Sequence, residues 1–335
     1  MSEMIRAAQF SRYGSPDVLT IASVERPSPA AGEILVKVHG SSVNHLDASI
    51  RRGRLLPATL FSFPMGTGFD FAGEVVEVGP VTEEPKSSSG RASEGDATAV
   101  TFEPGDRVWG FRPGLGGGPI GAASEFLVVR SSAVSYAPAT IDLLDAASLP
   151  LVGSTALVAL RDHGHLHEGQ RLLVRGASGG VGSAAVQLGK SMGAHVTALV
   201  GGRDLEFVRG LGADDALDYR THSSGQVGAY DVIMDVVGTR LMSYRRHLAR
   251  PGRMVTTAVR GGGAVLASAI YGPRRVRAVA IGPQQSVLAD LARRVDDGAL
   301  APIIDSVTPL EALASAHARI ETGGLRGKLV IDTRS

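Results

Sequence analysis

The chain of 335 residues contains no cysteine. This absence excludes disulfide bonds, thiolate-bound zinc and a cysteine nucleophile. An excess of charge of one sign is also missing, because 34 Lys and Arg residues against 33 Asp and Glu leave a net charge of +1 at pH 7. Such a balance gives no electrostatic basis for binding nucleic acid or an anionic membrane. We therefore expect neither as a partner.

Long apolar runs are absent as well. No stretch of the sequence approaches the roughly eighteen uncharged apolar residues of a transmembrane helix. The N-terminal segment contains Glu3, Arg6 and Gln9 and so lacks the apolar region of a signal peptide. We predict a cytoplasmic protein. Its length exceeds what one hydrophobic core usually supports, so two domains are expected.

Two patterns of secondary structure divide the chain. The first hundred or so residues contain short β-branched strands, such as Ile34–Val38 and Gly73–Val78, that end near Gly or Pro. From about Asp142 onward strands alternate with helices, which predicts a parallel sheet with right-handed crossovers. The predicted strands are Arg171–Arg175, His195–Val200, Tyr230–Val236, Arg253–Thr257 and Lys328–Asp332. The predicted helices are Gly180–Met192, Asp204–Leu211, Leu241–Leu248, Gln284–Asp297 and Leu310–Glu321.

A polar segment interrupts the first pattern between Pro80 and Glu103. Its small and charged residues cannot bury enough apolar surface to offset the entropy lost on ordering. We therefore predict a flexible surface loop at residues 83–100. A lid over the active site is the alternative for this segment.

The strongest motif lies in the segment Val174–Val196, VRGASGGVGSAAVQLGKSMGAHV. Gly179 and Gly182 follow a predicted strand and begin a predicted helix, while Ala177 stands where the dinucleotide-binding fingerprint has its first glycine. Small residues permit the tight turn, the close approach of backbone to pyrophosphate and the packing of helix on strand, and the helix N-terminus offers free N–H groups. The motif predicts a nucleotide site, with an ordinary glycine-rich turn as the alternative.

The end of the next predicted strand bears on the choice of cofactor. An NAD enzyme places an acidic residue there to bind the ribose 2′-hydroxyl. This chain has Gly201, Gly202 and Arg203, and only then Asp204. Arg203 can form two parallel hydrogen bonds to a 2′-phosphate, while Asp204 suits the N-cap of the following helix. NADPH is favoured, and the alternative is that Asp204 binds the ribose while Arg203 is solvated.

The chain resembles the zinc-independent quinone oxidoreductase branch of the medium-chain dehydrogenase/reductase superfamily over nearly its whole length. The segments that carry the resemblance are Ser41–Gly53, Gly68–Gly79, Pro104–Phe111, Leu149–Leu160, Gly176–Gly182 and Leu325–Ile331. The resemblance implies an α/β fold in which a Rossmann doubly wound parallel sheet, residues 127–266, is inserted into a GroES-like β-barrel catalytic domain, residues 1–126 and 267–335. It also implies a homodimer, and the NADPH-dependent reduction of quinones or of α,β-unsaturated carbonyl compounds, including enoyl thioester or polyketide-type substrates.

The resemblance further assigns roles to individual residues. Arg203 and Tyr219 match the positions that hold the 2′-phosphate in NADPH-using relatives, and Asn44 matches an asparagine at the nicotinamide end of the cleft. Arg326–Lys328 match a C-terminal segment near the cofactor. The predicted cofactor-binding residues are Asn44, Thr155, Ala177, Ser178, Gly179, Gly180, Val181, Gly182, Gly202, Arg203, Tyr219, Val237, Arg326 and Lys328.

Zinc-dependent relatives use a cysteine in the first of these segments and a Gly-His-Glu sequence in the second. Here those places hold Asn44 and the run Gly66–Asp70, which contains no histidine. His39 and His45 lie nearby in sequence, but two histidines alone do not make a zinc site. We predict that the protein uses no metal.

The sequence offers several candidates for the group that stabilises the product oxygen. Many relatives place a tyrosine in or just after the first segment, and this chain has none there. Asn44, Arg54 and Ser49 are candidate donors to that oxygen, and Asp47 is a candidate for proton relay or substrate binding. The structural alternatives are a turn residue for Asn44, a surface charge for Arg54 and a helix cap or ion pair for Asp47. A carbonyl or aldehyde reductase and a non-catalytic NADPH-binding protein are the alternative functions.

Overall fold

The computed structural model describes residues 3–55, 63–80, 101–114, 118–222, 228–257 and 276–335. The loop predicted at residues 83–100 and the domain boundary predicted after residue 266 lie outside these residues. The strands are β1 (Met4–Phe10), β2 (Leu19–Glu25), β3 (Glu33–Val43), β4 (Met65–Gly66), β5 (Asp70–Val78), β6 (Arg107–Phe111), β7 (Phe126–Arg130), β8 (Val134–Tyr136), β9 (Arg171–Arg175), β10 (His195–Val200), β11 (Asp215–Asp218), β12 (Tyr230–Asp235), β13 (Leu248–Thr256), β14 (Val276–Ala278), β15 (Ile304–Pro309) and β16 (Lys328–Asp332). The α-helices are α1 (His45–Arg51), α2 (Leu143–Ala146), α3 (Pro150–Val158), α4 (Gly180–Ser191), α5 (Leu205–Gly210), α6 (Leu241–Arg245), α7 (Gln285–Asp296) and α8 (Leu313–Thr322).

Strands from both ends of the chain form the first half of the fold. A seven-stranded sheet has the order β15-β16-β3-β5-β6-β8, with β7 pairing β3, and a three-stranded sheet has the order β2-β1-β4. The C-terminal strand β16 pairs antiparallel with β3, so that Leu329 lies opposite Val43. Alternating apolar residues of β3, such as Val36 and Val38, are buried in one apolar cluster with side chains of β5, β6 and β7. The C-terminal tail therefore completes the sheet that the N-terminal part begins.

The second half of the fold is a parallel sheet with the order β11-β10-β9-β12-β13-β14. This order is that of a doubly wound Rossmann sheet, in which the chain turns back between the first and fourth strands, here β9 and β12. Ligands bind such sheets in the crevice at the carboxyl ends of the two strands where the order reverses. The prediction of a Rossmann doubly wound sheet is confirmed.

Helix α3 lies between the two halves. Eight of its nine residues are buried, which is the pattern of a helix surrounded by protein on all sides. It packs against α4 and α7, and one apolar cluster joins its residue Leu157 to Trp109 of β6 and Leu172 of β9. The apolar core is thus continuous from the barrel strands to the Rossmann sheet.

Strand pairing extends past the predicted domain boundaries. Strands β7 and β8 pair in the seven-stranded sheet although residues from 127 onward were assigned to the Rossmann domain, and β14 pairs in the Rossmann sheet although it follows residue 267. Two local predictions also differ from the structure. The helix predicted to reach Leu248 ends at Arg245, because Leu248 pairs with Tyr230 as the first residue of β13. Strand β15 was not predicted, and its residues alternate between half-buried and exposed at the edge of the sheet.

Candidate active site

The glycine-rich turn follows β9 at the point where the strand order reverses. Gly176 has φ +76°, a left-handed conformation that favours glycine. A Cβ on Gly182 would overlap the carbonyl oxygen of Gly176, so α4 packs directly on the turn. A Cβ on Gly179 would instead project into open space, with its nearest neighbour 3.9 Å away. Because α4 also begins without a side-chain cap, its first N–H groups and the open turn fit a dinucleotide pyrophosphate.

The C-terminal segment lies against this turn. The N–H of Gly327 donates to the carbonyl oxygen of Ser178 at 2.9 Å, and Gly327 forms an isolated parallel bridge with Gly179. The side chain of Lys328 covers Gly180, where an added Cβ would lie 2.9 Å from Cδ of the lysine. The structure therefore brings together the glycine-rich residues and Lys328, which the sequence places almost 150 residues apart.

Arg203 and Asp204 lie at the end of β10. The Arg203 side chain is 62% exposed and donates to the carbonyl oxygen of Gly324. The Asp204 carboxylate is buried and accepts a hydrogen bond from Nε of Arg326 at 2.8 Å. Asp204 occupies the N-cap position of α5 as predicted, but its side chain caps nothing. The expected capping bond is thus replaced by an ion pair, because a guanidinium is a stronger partner than a backbone N–H.

Tyr219 lies beside the same tip. Its ring is 3.6 Å from the position of a Cβ on Gly201, and the guanidinium of Arg220 lies 5.5 Å from the ring centroid. Sequence reasoning missed Arg220, although it follows the tyrosine directly. It also missed Asp218, whose carboxylate lies 2.6 Å from the position of a Cβ on Gly202. Cations and two carboxylates, those of Asp204 and Asp218, therefore share the region predicted to bind the 2′-phosphate.

A buried polar cluster lies where the C-terminal strand meets β3 and β5. Nζ of Lys328 donates to Oδ1 of Asn44 at 2.6 Å and lies 3.3 Å from Oδ2 of Asp70. Nδ2 of Asn44 donates to the same Asp70 oxygen at 2.8 Å, and the hydroxyl of Ser42 donates to it at 2.7 Å. All four side chains are buried. Asp70 was noted in the sequence only as part of a run without histidine.

Asp70 also connects this cluster to α3. Its Oδ1 accepts the N–H of Leu151, in the first turn of the helix, at 2.6 Å. The N-cap of α3 is Leu149, which has no capping side chain, and Pro150 stands at its first position. The sequence did contain a signal for this contact. A helix that starts without a capping residue of its own can be capped by a side chain from a distant part of the chain. The predicted cofactor residue Thr155 lies one turn further along α3 and donates to the carbonyl oxygen of Leu151 at 2.6 Å.

The Asp47 carboxylate is buried beside the cluster. It accepts the N–H of Asn44 at 2.8 Å and that of Gly68 at 3.0 Å. Burial raises the pKa of Asp47 to about 6, against the opposing effects of the Asn44 N–H and the Lys328 charge. These contacts are those of a helix cap, one of the roles considered for Asp47. The charge of Asp47 also acts on the half-buried guanidinium of Arg112, whose pKa is lowered by burial and which sequence reasoning missed.

The other predicted residues lie further from this cluster. The hydroxyl of Ser49 donates to the carbonyl oxygen of His45 within α1, and the Arg54 side chain is exposed. In the described part of the chain, neither side chain is hydrogen-bonded to Asn44, Asp70 or Lys328. Val237 is 42% exposed at the carboxyl end of β12, 3.0 Å from the position of a Cβ on Gly176. Val237 therefore borders the crevice.

The donors at the site do not suit zinc. Over the described residues, no group of three or more His, Cys, Asp or Glu side chains could hold a metal ion. The cluster instead contains an amide and an ammonium, and the ammonium of Lys328 already lies beside the Asp70 carboxylate. An ammonium cannot ligate zinc and would repel it.

None of the described helices is long and apolar enough to span a membrane.

Two protein families match the sequence. Residues 30–139 match the alcohol dehydrogenase GroES-like domain, and residues 211–331 match a family described as zinc-binding dehydrogenase. The first match confirms the prediction of a GroES-like domain. The second family is described as zinc-binding, whereas the donors around Asn44 in this chain are unsuited to zinc.

Similar proteins cover almost the whole chain. The chloroplast envelope quinone oxidoreductase homolog of Arabidopsis thaliana is 30% identical over 98% of this chain and 99% of its own length. The human mitochondrial NAD(P)H oxidoreductase RTN4IP1 is 31% identical over 99% of this chain and 90% of its own length. The structure of the quinone oxidoreductase from Coxiella burnetii superposes with a TM-score of 0.86 at 27% identity, covering 98% of this chain and 99% of that one.

Proposed function

Because the chain belongs to the medium-chain dehydrogenase/reductase superfamily, in its quinone oxidoreductase-like branch, we propose that it reduces quinones or the C=C bond of α,β-unsaturated carbonyl compounds with NADPH. Membership makes the protein an oxidoreductase that uses a nicotinamide cofactor. The preference for NADPH and the class of acceptor are the proposal.

One observation carries the proposal. The buried cluster of Asn44, Asp70 and Lys328 is joined to the glycine-rich turn by the packing of Lys328 on Gly180. A dinucleotide bound at the turn would lie in the crevice at the carboxyl ends of β9 and β12, which Val237 borders. Hydrogen-bond donors and a positive charge are thus provided close to a cofactor crevice, where they can act on a reacting carbonyl compound.

The residues that would hold the cofactor follow from this geometry. The turn from Gly176 to Gly182 would bind the pyrophosphate, and Arg203, Tyr219 and Arg220 would bind the 2′-phosphate. The cofactor supplies the hydride, so the protein has to bind, orient and stabilise charge. The exposed guanidinium of Arg203 and the neighbouring Arg220 favour NADPH, since each can form charge-assisted hydrogen bonds to a phosphate.

The donors of the cluster favour a conjugated acceptor. Reduction of a conjugated carbonyl compound or a quinone develops negative charge on an oxygen, and donors held in a buried site stabilise that charge. The amide of Asn44 is such a donor, and the ammonium of Lys328, whose own N–H groups are bonded to Asn44, Asp70 and Val43, adds a positive charge beside it. They offer less polarisation of an isolated carbonyl than a metal would. We therefore expect 1,4-reduction of enones, with hydride at the β-carbon and a solvent proton at the α-carbon, or two-electron reduction of quinones.

Deuterium transfer tests the reaction. NADPH deuterated at C4 is incubated with a simple enone, and the product is analysed by NMR. Deuterium at the β-carbon supports the proposal, whereas deuterium on the carbinol carbon of an allylic alcohol identifies a carbonyl reductase. A panel of quinones, enones and enoyl thioesters is assayed in parallel by oxidation of NADPH. A thermal shift with NADPH but no turnover of any of them would indicate a non-catalytic binding protein.

We include a homodimer and a cytoplasmic location in the proposal. The strand β14 lies at the end of the Rossmann sheet and has one neighbour among the described strands, which leaves an edge that can pair with a second copy. Light scattering during size-exclusion chromatography tests the dimer, and a molar mass of 34.7 kDa would refute it.

The relatives above are named as chloroplast and mitochondrial proteins, so the cytoplasmic location has to be tested by fractionation.

A further inference from the structure

The side-chain amide of Asn44 is held at both ends. Its oxygen accepts a hydrogen bond from Nζ of Lys328 at 2.6 Å, and its nitrogen donates to Oδ2 of Asp70 at 2.8 Å. We infer that Lys328 is a positioning residue, which acts with Asp70 to fix the direction in which the Asn44 amide faces. This role is distinct from a contact between Lys328 and the cofactor.

Electrostatics select one orientation of this amide. A half-turn about its terminal torsion would place the NH2 group against the ammonium of Lys328 and the carbonyl oxygen against the carboxylate of Asp70. Both contacts would then be repulsive, and they would be made in a buried site where charges are poorly screened. The two charged neighbours therefore oppose rotation together, and Lys328 accounts for one of the two contacts.

The geometry suits lysine in particular. The three N–H groups of an ammonium match three acceptors here, namely Asn44, Asp70 and the carbonyl oxygen of Val43 at 3.0 Å. The chain otherwise prefers arginine, with 30 arginines and four lysines. A planar guanidinium is larger than an ammonium and needs a different arrangement of acceptors. The site between Asn44 and Gly180 therefore favours the compact ammonium of lysine over a guanidinium.

The fixed amide offers a donor to a ligand. One hydrogen on Nδ2 is bonded to Asp70, while the other has only a long contact of 3.4 Å to the carbonyl oxygen of Ser42. The second hydrogen is therefore available to an oxygen acceptor that lies in its direction. On the proposed function, which this step assumes, that acceptor is the oxygen of the bound carbonyl compound or of the nicotinamide amide. A rotated amide would present its carbonyl oxygen and could donate nothing.

The composition of the chain makes the amide directly observable. Asn44 is the only asparagine among 335 residues, so protein labelled with asparagine containing 15N in its side-chain amide gives a single NH2 pair by NMR. We expect two well-separated hydrogen shifts and slow exchange with water. In Lys328→Met the separation of the two hydrogen shifts should narrow and exchange with water should accelerate at least tenfold, because the amide oxygen then loses its charged partner. Methionine keeps the unbranched stem that packs on Gly180.

A matched control removes the same charge elsewhere. Lys190→Met deletes an ammonium that pairs with Asp214 at 2.8 Å on the Rossmann domain, and it should leave the Asn44 pair unchanged. In steady-state assays we expect Lys328→Met to lower kcat by about tenfold to a hundredfold. This is less than the loss of about a hundredfold to a thousandfold seen when a preorganised donor is removed, because the Asn44 amide is still present but less well oriented. Its KM for NADPH should change by less than about threefold, since the turn itself is intact.

The absence of cysteine allows the charge to be restored. In Lys328→Cys the introduced thiol is the only one in the protein, so alkylation in mild denaturant followed by refolding modifies one site. Bromoethylamine adds an ammonium at nearly the length of lysine, and bromopropane adds a neutral group of the same length. We expect the first product, and not the second, to recover the parent NH2 spectrum and most of kcat.

The NMR spectra test the role of Lys328, and the activity assays test the proposed function, so the two can be refuted separately. If no quinone or enone is turned over, the proposed function fails, while the spectra recorded without substrate still decide the role of Lys328. Parent-like shifts and exchange in Lys328→Met, or equal recovery with both alkylating reagents, would overturn the inference whatever the activity.

Discussion

His317 lies on α8 with its ring buried against the side chain of Arg51. Nε of Arg51 lies 3.4 Å from Nδ1 of the histidine, and the same guanidinium bonds to Glu321 and to the carbonyl oxygen of Gly14. Burial, and then the Arg51 charge, lower the pKa of His317 from 6.5 to about 3. A proton on Nδ1 would displace the Arg51 hydrogen bond and place two cations together. The folded protein therefore keeps His317 neutral in mildly acidic solution.

This shift makes the free energy of unfolding depend on pH. Below pH 6.5 the unfolded state takes up a proton at His317 that the folded state does not, so acidification favours unfolding. The contribution of His317 to stability is thus fully present above its unfolded pKa and is lost as the pH falls toward 3. With about 1.4 kcal/mol for each pKa unit, the loss between pH 7 and pH 5 is about 2 kcal/mol.

Urea denaturation of His317→Gln tests this value. The glutamine oxygen can accept the Arg51 hydrogen bond without titrating, so the variant should lose about 2 kcal/mol less stability than the parent between pH 7 and pH 5. Asp47 has a pKa raised to about 6 and contributes with the opposite sign, but it is common to both proteins and cancels in the difference. The exposed His167 provides the control, and His167→Gln should behave as the parent does. Equal losses in the parent and in His317→Gln would refute the reasoning.

Four further outcomes are expected. Arg203→Ala should reduce the preference for NADPH over NADH, because a charge-assisted phosphate contact of about 1.5–3 kcal/mol is lost; an unchanged ratio of kcat/KM values would show that Arg203 does not select the cofactor. Gly182→Ala should abolish NADPH binding in a fluorescence titration, since its Cβ would overlap the carbonyl oxygen of Gly176, whereas Gly210→Ala, with open space around its Cβ, should bind normally. Exhaustive treatment with EDTA should leave activity unchanged, and a loss restored by added zinc would contradict the metal-free prediction. Deletion of Glu84–Ala97 should change the melting temperature little, because loop length enters closure entropy only logarithmically; a loss of turnover in the folded protein would instead identify this segment as a lid.

Much of the architecture follows from local sequence. Strands Arg171–Arg175, His195–Val200 and Lys328–Asp332 have the bounds predicted from their β-branched and apolar residues. The glycine-rich turn was also predictable, because its tight backbone and its packing on α4 depend on neighbours in the chain. Predictions from the sequence were wrong where they assigned a side chain to a partner close to it in the chain. Asp204 was predicted to cap α5, yet its carboxylate binds Arg326, which is 122 residues away.

The sequence by itself determined the Rossmann pattern and the glycine-rich turn, because periodicity and small residues act over short stretches of chain. The candidates Asn44 and Lys328 came from the resemblance of their segments to a known family. Only the tertiary structure decided that Lys328 bonds to Asn44, 284 residues away, and that Asp70 serves both this cluster and the start of α3. A carboxylate or an ammonium must find a partner when it is buried, but its own sequence does not specify which one. The pairing of β16 with β3 makes that choice, because it brings the two ends of the chain together.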